Sequence, residues 1–358
     1  MKLLWASQLN GIGMAYGFTT HARQMLRALR EAGVSITFNP HDDYDLAVHI
    51  IPPELFKPIP GRRNLLLATC EASEPTSPFA ALPDVLIVPC NYNREVFAKH
   101  FAGPIEVCPE GIDPALFPLH QRHAPGPGES WRFLFHGNMD GNAKGSEFAV
   151  SSWRTWMASG RMPGNAELYL HTTGLGAPPL QHWMELDGKL VGPVPDPLPP
   201  TLPKALADRI RNLSRRMTLD NRDLSAANLT TLYNSAHALL STSLGEGWNL
   251  VLTEAMATGL PCAWSHHTAM LDYADQEIGF PITEFKPFVF RQDMPEYFGL
   301  AAEEPAIIAA MEEIVRDYPA ALERGRKASE RMHSRFTWAQ AASKFIAICE
   351  KQTSGGAR

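Results

Sequence analysis

The chain is short of cysteine, of long apolar runs and of positive charge, and each shortage narrows what it can be. Its five cysteines (Cys70, Cys90, Cys108, Cys262, Cys349) are odd in number, widely spaced and without a C-x-x-C pair. That usage excludes a disulfide-stapled framework, and four of the five sit in apolar segments, as buried thiols of a reduced cytoplasmic protein do. No HExxH or Cys/His cluster occurs, so no zinc site is expected. No segment approaches the ~20 apolar residues of a membrane-spanning helix. Met1-Lys2 leads straight into LLWAS, too soon interrupted for a signal peptide. Lysine and arginine number 32 against 38 acids, a net charge of −6 that argues against broad nonspecific nucleic-acid binding.

What is present is strand–helix alternation, in a chain of 358 residues that suits two domains. KLLWASQ, SITFNP, DLAVHII, NLLLATC, DVLIVPC and IEVCPEG read as short buried strands. FTTHARQMLRALREAG between the first two, and NREVFAKHF between the last two, read as helices. HQRHAPGPGES, crowded with Pro and Gly, is the candidate linker. Alternation restarts with WRFLFHG, a helix from about Ser146, AELYLHT, ALLSTS and PCAWSH, and successive helices run from Pro305 to about Lys351. We expect an N-terminal domain at 1–120, a linker at 121–130, a second domain at 131–335 and a final helix at 336–351. Two segments resist this scheme. The Pro-rich 190–203 is expected to be a surface excursion rather than a strand, and the aromatic 283–303 a long loop near the cleft. The tail TSGGAR reads as disordered.

Chemistry concentrates in GEGWNLVLTEAMATGLP, where Glu246 and Glu254 lie eight positions apart. ALLSTSLGEGW reads as a buried strand opening into a loop, and NLVLTEAMATG as a helix stopped by Gly259-Leu260-Pro261. One carboxylate then lies on the loop and the other about two turns along the helix. The amides of Asn249, Leu250 and Val251 between them are free donors of a helix N-terminus, a ready anion site. The string resembles the E-x7-E motif of retaining glycosyltransferases with the GT-B fold, particularly family 4, and the resemblance spans nearly the whole chain. It implies an α/β architecture of two doubly wound Rossmann-like domains with a cleft between them and a last helix crossing back onto the first.

The resemblance also implies roles. Glu254 matches the acid that accepts hydrogen bonds from the nucleotide ribose, and Glu246 the acid that holds donor-sugar hydroxyls near the reacting carbon. Gly247 and Trp248 fall where backbone amides meet sugar and phosphate. FLFHGNMDGNAKGSEF resembles the segment whose Arg and Lys clamp the leaving diphosphate: Lys144 matches the lysine, and Asn138 stands where the arginine would be. Gly11, Gly13 and Gly17 resemble the Gly-rich first loop, with Gly17 the closest-approach glycine and Gly13 beside it. Glu71 occupies the neighbourhood where many relatives carry a histidine contacting the donor sugar, and is a second catalytic candidate. Glu110, Gly111 and Asp113 match the segment packing the interdomain hinge, and Asp272 stands where an acid is usual. His266 and His267 read as loop or packing residues.

The implied activity is retaining hexosyl transfer from a UDP- or GDP-linked sugar, without metal or other cofactor. Asp43-Tyr44-Asp45 has the D-x-D form of a metal site but precedes a first-domain strand and reads as a turn. The acceptor is expected to be a glycan or small molecule. Hydroxymethylated DNA is the alternative, with Arg209, Arg211, Arg215 and Arg216 facing its backbone. A sugar-nucleotide epimerase or an inactive nucleotide-sugar-binding protein are the other readings. The oligomeric state is not legible.

Overall fold

The computed structural model describes residues 1–6, 16–71, 79–137, 143–172, 180–186, 189–194, 204, 216–289 and 298–354. The first sheet contains β1 (Lys2–Trp5), β2 (Ser35–Thr37), β3 (Leu46–Ile50), β4 (Asn64–Leu67), β5 (Val85–Val88) and β6 (Ile105–Val107). Their order is β2-β1-β3-β4-β5-β6, with every pairing parallel. Strands buried on both faces need no alternation, which is why they read as continuous apolar runs. Helix α1 (Tyr16–Glu31) turns Ala22, Met25, Leu26 and Leu29 onto this sheet at helical spacing. Gly33, at φ 82°, follows its C-terminal end. Helix α2 (Asn91–Ala98) joins β5 to β6, capped by the Cys90 thiol.

The second sheet comprises β7 (Trp131–His136), β8 (Ala166–His171), β9 (Leu180–Leu186), β10 (Lys189–Val194), β11 (Met217–Asp220), β12 (Ala238–Ser241), β13 (Cys262–Ser265) and β14 (Phe280–Ile282). Its order is β10-β9-β11-β8-β7-β12-β13-β14. The six strands from β11 to β14 in that order run parallel, and β9 and β10 add antiparallel to the β11 edge. Helices α3 (Ser146–Ala158), α4 (Ala226–Asn234), α5 (Leu250–Ala257), α6 (Glu304–Arg316) and α7 (Tyr318–Arg335) accompany this sheet. Two doubly wound units form, as GT-B requires.

Two segments depart from what was expected of them. Residues 283–303 are not a structureless loop: β15 (Phe285–Val289) and β16 (Phe298–Ala302) pair antiparallel. Phe285 and Phe288 pack edge-on against His267 and Phe148, at 4.9 and 5.4 Å between ring centroids. Those partners lie far off in sequence, so no local period announced the strands. The Pro-rich segment enters the sheet as β10 up to Val194. Pro193 is tolerated because β10 is an edge strand whose register shifts between Val191 and Val194. Residues 195–203 lie outside the described residues.

Helix α8 (Trp338–Ser354) crosses back: Trp338, Ala341, Phe345 and Ile348 share a core with Met25 and Leu29 of α1. It runs through Ser354, so the expected tail shortens to 355–358, outside the described residues. The Ile112 amide donates to Phe336 O at 2.8 Å, and a Cβ at Gly111 would collide with the backbone at Thr337 and Trp338.

Between the two sheets Arg122 is anchored, although its segment has no regular structure. Its guanidinium donates to the carbonyls of Tyr233 (3.3 Å) and Thr258, to Asn234 Oδ1 (3.2 Å) and to Thr258 Oγ1 (2.9 Å). These acceptors are the C-terminal ends of α4 and α5, where orphan carbonyls and the helix dipole favour a cation. Burial nonetheless lowers the guanidinium to about 10. Arg122→Ala should cost about 2–3 kcal/mol, because the lost bonds are charge-assisted and the carbonyls stay buried. Arg122→Lys should recover only part, since an ammonium lacks the planar fork. Urea midpoints of the three proteins measure this, and an unshifted Arg122→Ala midpoint would refute the anchoring role.

Candidate active site

A cavity of about 790 Å³ opens between the two sheets. Its walls include Leu67 ending β4 and the following Ala68–Glu71, Val88 ending β5, Glu110 after β6, His136 ending β7, His171 ending β8, and Ser243 and Glu246–Val251 after β12. All are carboxyl ends of parallel strands, where open α/β sheets collect ligands. The volume suits small organic molecules.

The β12–α5 connection shows how local sequence makes the site. Small residues follow β12, and Thr242 Oγ1 donates to Gly145 O at 2.7 Å. Gly145 sits at φ 67° where a Cβ would strike the Thr242 carbonyl, so glycine lets the Lys144 loop lie against this strand end. Asn249 caps α5 from the left-handed region at φ 77°, which asparagine tolerates better than most residues. Its Oδ1 accepts from the Leu252 amide (3.1 Å), and its Nδ2 donates to Ser241 Oγ (3.1 Å). The amides of Leu250 and Val251 precede the first intrahelical donor, so they remain available to an anion. Because the helix starts at Leu250, Glu254 lies just over one turn in, not two.

Glu254 accepts a hydrogen bond from Tyr233 Oη (3.1 Å), whose oxygen also lies 3.2 Å from His136 Nδ1. Burial pushes the Glu254 carboxyl up to about 8; Tyr233 opposes the shift and the charge of Glu110 adds to it. The free site therefore holds Glu254 neutral at pH 7. Burial likewise lowers His136 to about 3, so it too is neutral. His136 meets His171 edge-on at 4.7 Å.

At the other end, Lys144 Nζ donates to Glu71 Oε1 (2.9 Å) and Glu246 Oε2 (2.8 Å), joining the two sheets' residues in one ionic cluster. Burial alone would lower the ammonium, but the Glu246 and Glu71 carboxylates outweigh it and raise it. Burial raises Glu246 in turn, against the pull of Lys144. Glu246 Oε1 accepts from Ser243 Oγ (2.7 Å), and its amide donates to Thr268 Oγ1 (3.0 Å). Thr268 holds φ 53°, a costly conformation for a β-branched residue, in the 3-10 turn Thr268–Asp272. Glu71 follows a turn held by buried Asn93: Oδ1 accepts from Thr69 Oγ1 and the Cys70 amide, both 3.0 Å, and Nδ2 donates to Cys70 O at 2.8 Å. A Cβ at Gly247 would collide with Thr69 Oγ1, so glycine there permits the two loops to touch.

Residues 93–345 match the family model described as family 4 glycosyltransferase in conflict systems. The chain belongs to this family. No curated protein sequence matches it. Among solved structures it is similar to sucrose-phosphate synthase from Thermosynechococcus elongatus, at 17% identity and TM-score 0.66, covering 99% of this chain and 100% of that one. It is also similar to Anabaena Alr3699/HepE in complex with UDP-glucose, at 12% identity and TM-score 0.63, covering 98% and 100%. WaaG, a glycosyltransferase involved in lipopolysaccharide biosynthesis, shows 13% identity and TM-score 0.59 over 99% and 100%. At such identities the likeness carries the fold.

In this glycosyltransferase, Gly17, Glu71, Lys144, Glu246, Gly247, Trp248, Asn249, Leu250, Val251 and Glu254 all line the one cavity. Gly11, Gly13 and Asn138 lie outside the described residues, as do Arg209, Arg211 and Arg215. Arg216 donates to Gly164 O at 2.8 Å. The Trp248 ring packs on Tyr273 and Phe336, and its carbonyl accepts from Tyr273 Oη at 2.9 Å. Asp272 Oδ2 accepts from the Asn91 amide (2.7 Å) at the start of α2, tying the two halves together. His267 packs beneath the site, 3.2 Å from Ser243 O. Asp45 accepts from the Lys2 amide at 2.7 Å, as a turn residue does. Sequence reasoning missed His136 and His171, whose signal was a histidine closing each of two apolar strands. It also missed Asn93 and Thr268, which had none.

Among the described residues no helix is long and apolar enough to cross a membrane, and no group of three or more His, Cys, Asp or Glu is placed to hold a metal ion.

Proposed function

We propose that this glycosyltransferase moves a hexosyl group from a UDP- or GDP-linked sugar to an acceptor hydroxyl, with retention at the anomeric carbon and without a metal ion. The observation that carries this reading is the Glu71–Lys144–Glu246 cluster beside the open amides of α5, within one cavity. The amides and Lys144 suit a diphosphate, Glu254 suits the ribose and Glu246 the donor sugar. HepE, whose structure holds UDP-glucose, supports the donor class. The acceptor oxygen attacks the anomeric carbon from the face the diphosphate leaves. The carbon–oxygen bond to phosphate breaks as the new one forms, and the acceptor proton passes to the departing phosphate. Positive groups around the diphosphate favour this step by stabilising charge that develops on the leaving oxygen. Lys144 is already bridged by two carboxylates, so donor binding must take part of its hydrogen bonding from them.

The acceptor we favour is a glycan or small molecule. Among the described residues the first-domain wall carries Glu54, Glu71 and Glu110 against one arginine, Arg23, a poor surface for a polyphosphate backbone. A reducing cytoplasm fits five free, buried thiols.

The test is labelled-sugar transfer from UDP- and GDP-sugars to glycan, small-molecule and hydroxymethylated-DNA acceptors, with product anomers assigned by NMR. We expect an α-linked product from an α-linked donor, and undiminished turnover in EDTA. An inverted product would overturn the retaining reading. Loss in EDTA restored by manganese would overturn metal independence, and transfer to hydroxymethylated DNA alone would overturn the acceptor class.

A further inference from the structure

The charge inventory of the cavity does not close around a diphosphate. Among the described residues six acids line it (Glu54, Glu71, Glu110, Asp223, Glu246 and the neutral Glu254) against two fixed cations, Arg23 and Lys144. Lys144 is shared by two carboxylates, so little of its charge is left over. The start of α5 offers about half a positive charge, too little to balance a dianion alone.

Among the described residues Arg23 is uncommitted. It stands exposed on α1, at the rim of the cavity, and makes no hydrogen bond or ion pair with another described residue. Its helix is firmly placed. Two residues earlier, His21 Nδ1 lies 3.0 Å from Glu110 Oε1 and its ring packs on Trp338 at 5.5 Å. Thr20 and Gln24, which share the α1 face with Arg23 by helical spacing, line the same cavity. Leu250, the first residue of α5, packs against the same first-domain core as Phe18 of α1. The starts of α1 and α5 therefore face the same cavity and the same core.

We infer that Arg23 is a donor-binding residue that reaches from the first domain to the diphosphate seated on the α5 amides. This rests on the nucleotide-sugar reading above. A guanidinium fork can hold two phosphoryl oxygens at once. Such a contact would draw the first domain onto the donor, leaving less room for water at the reacting carbon.

The experiment is calorimetric titration of UDP, GDP and the corresponding nucleosides into wild type, Arg23→Ala and Arg23→Lys. Arg23 is exposed, so both variants should keep the wild-type melting temperature. We expect Arg23→Ala to weaken diphosphate binding at least tenfold and to leave nucleoside binding unchanged. Its dependence on salt should flatten, and Arg23→Lys should recover part of the loss. Wild type binding neither diphosphate would sink the donor reading itself. Wild type and Arg23→Ala binding UDP and GDP equally would sink the Arg23 role alone. Intact donor affinity with a raised acceptor KM would also overturn it, because the arginine would then serve an acceptor anion.

Discussion

Lys144→Ala should lower kcat/KM for sugar transfer by about 10²–10³-fold, the usual cost of deleting one preorganised charge stabiliser. Among the described residues Lys144 is the sole cation in contact with both Glu71 and Glu246. Without it the leaving diphosphate loses a charged donor, and two carboxylates from opposite sides of the cleft face each other unbridged. The second effect should appear independently as a lower melting temperature, because an uncompensated buried charge is costly. Coupling the change to Glu71→Gln removes the repulsion, so that double variant should regain thermal stability without regaining turnover. Nucleoside diphosphate release and differential scanning fluorimetry measure the two effects. A Lys144→Ala enzyme within fivefold of wild type would remove the lysine from the mechanism.

Donor affinity should rise with pH up to about 8 and level off above it. The Glu254 carboxyl is held up to about 8 by burial, with Tyr233 pulling the other way. Ribose hydroxyls donating to this carboxyl favour its ionised form, so the bound complex has the lower pKa. Below pH 8 binding must expel a proton, and linkage then allows up to tenfold in affinity per pH unit. From pH 6 to pH 8 the dissociation constant should therefore fall by as much as about fiftyfold. A UDP-sugar is the right probe, since its phosphates do not titrate in this window as the terminal phosphate of UDP does. Glu254→Gln should bind weakly and flatten the profile. Affinity falling with rising pH would show that the protonated carboxyl is the binding form, and would reverse the role argued here.

Much of the architecture was legible because its signals are local. Apolar runs of four to six residues announced β3, β5 and β7, and helical spacing announced α1. The segment 283–303 was not legible: the half-buried Phe285 and Phe288 pack on His267 and Phe148, so their strand character follows from remote partners. Pro193 in β10 spoke against a strand, and an edge position overrode it. In the site, Glu246, Glu254 and the α5 start were readable from one string, because a loop acid, a cap and a helix acid are neighbours in sequence.

By itself, the sequence determined the strand–helix alternation, the glycines that allow close approach and the acids facing the cleft. Only the tertiary structure decided their chemical state. Lys144 meets Glu71 across 73 positions and Glu246 across 102, and Asn93, not any residue near Glu71, holds the turn that brings the carboxylate there. Glu254 keeps its proton because the folded chain removes water from around it. Periodicity and capping act over a few residues and can be read along the chain. Ion pairing and desolvation depend on distances through space, which exist only once both sheets have closed on the same cavity.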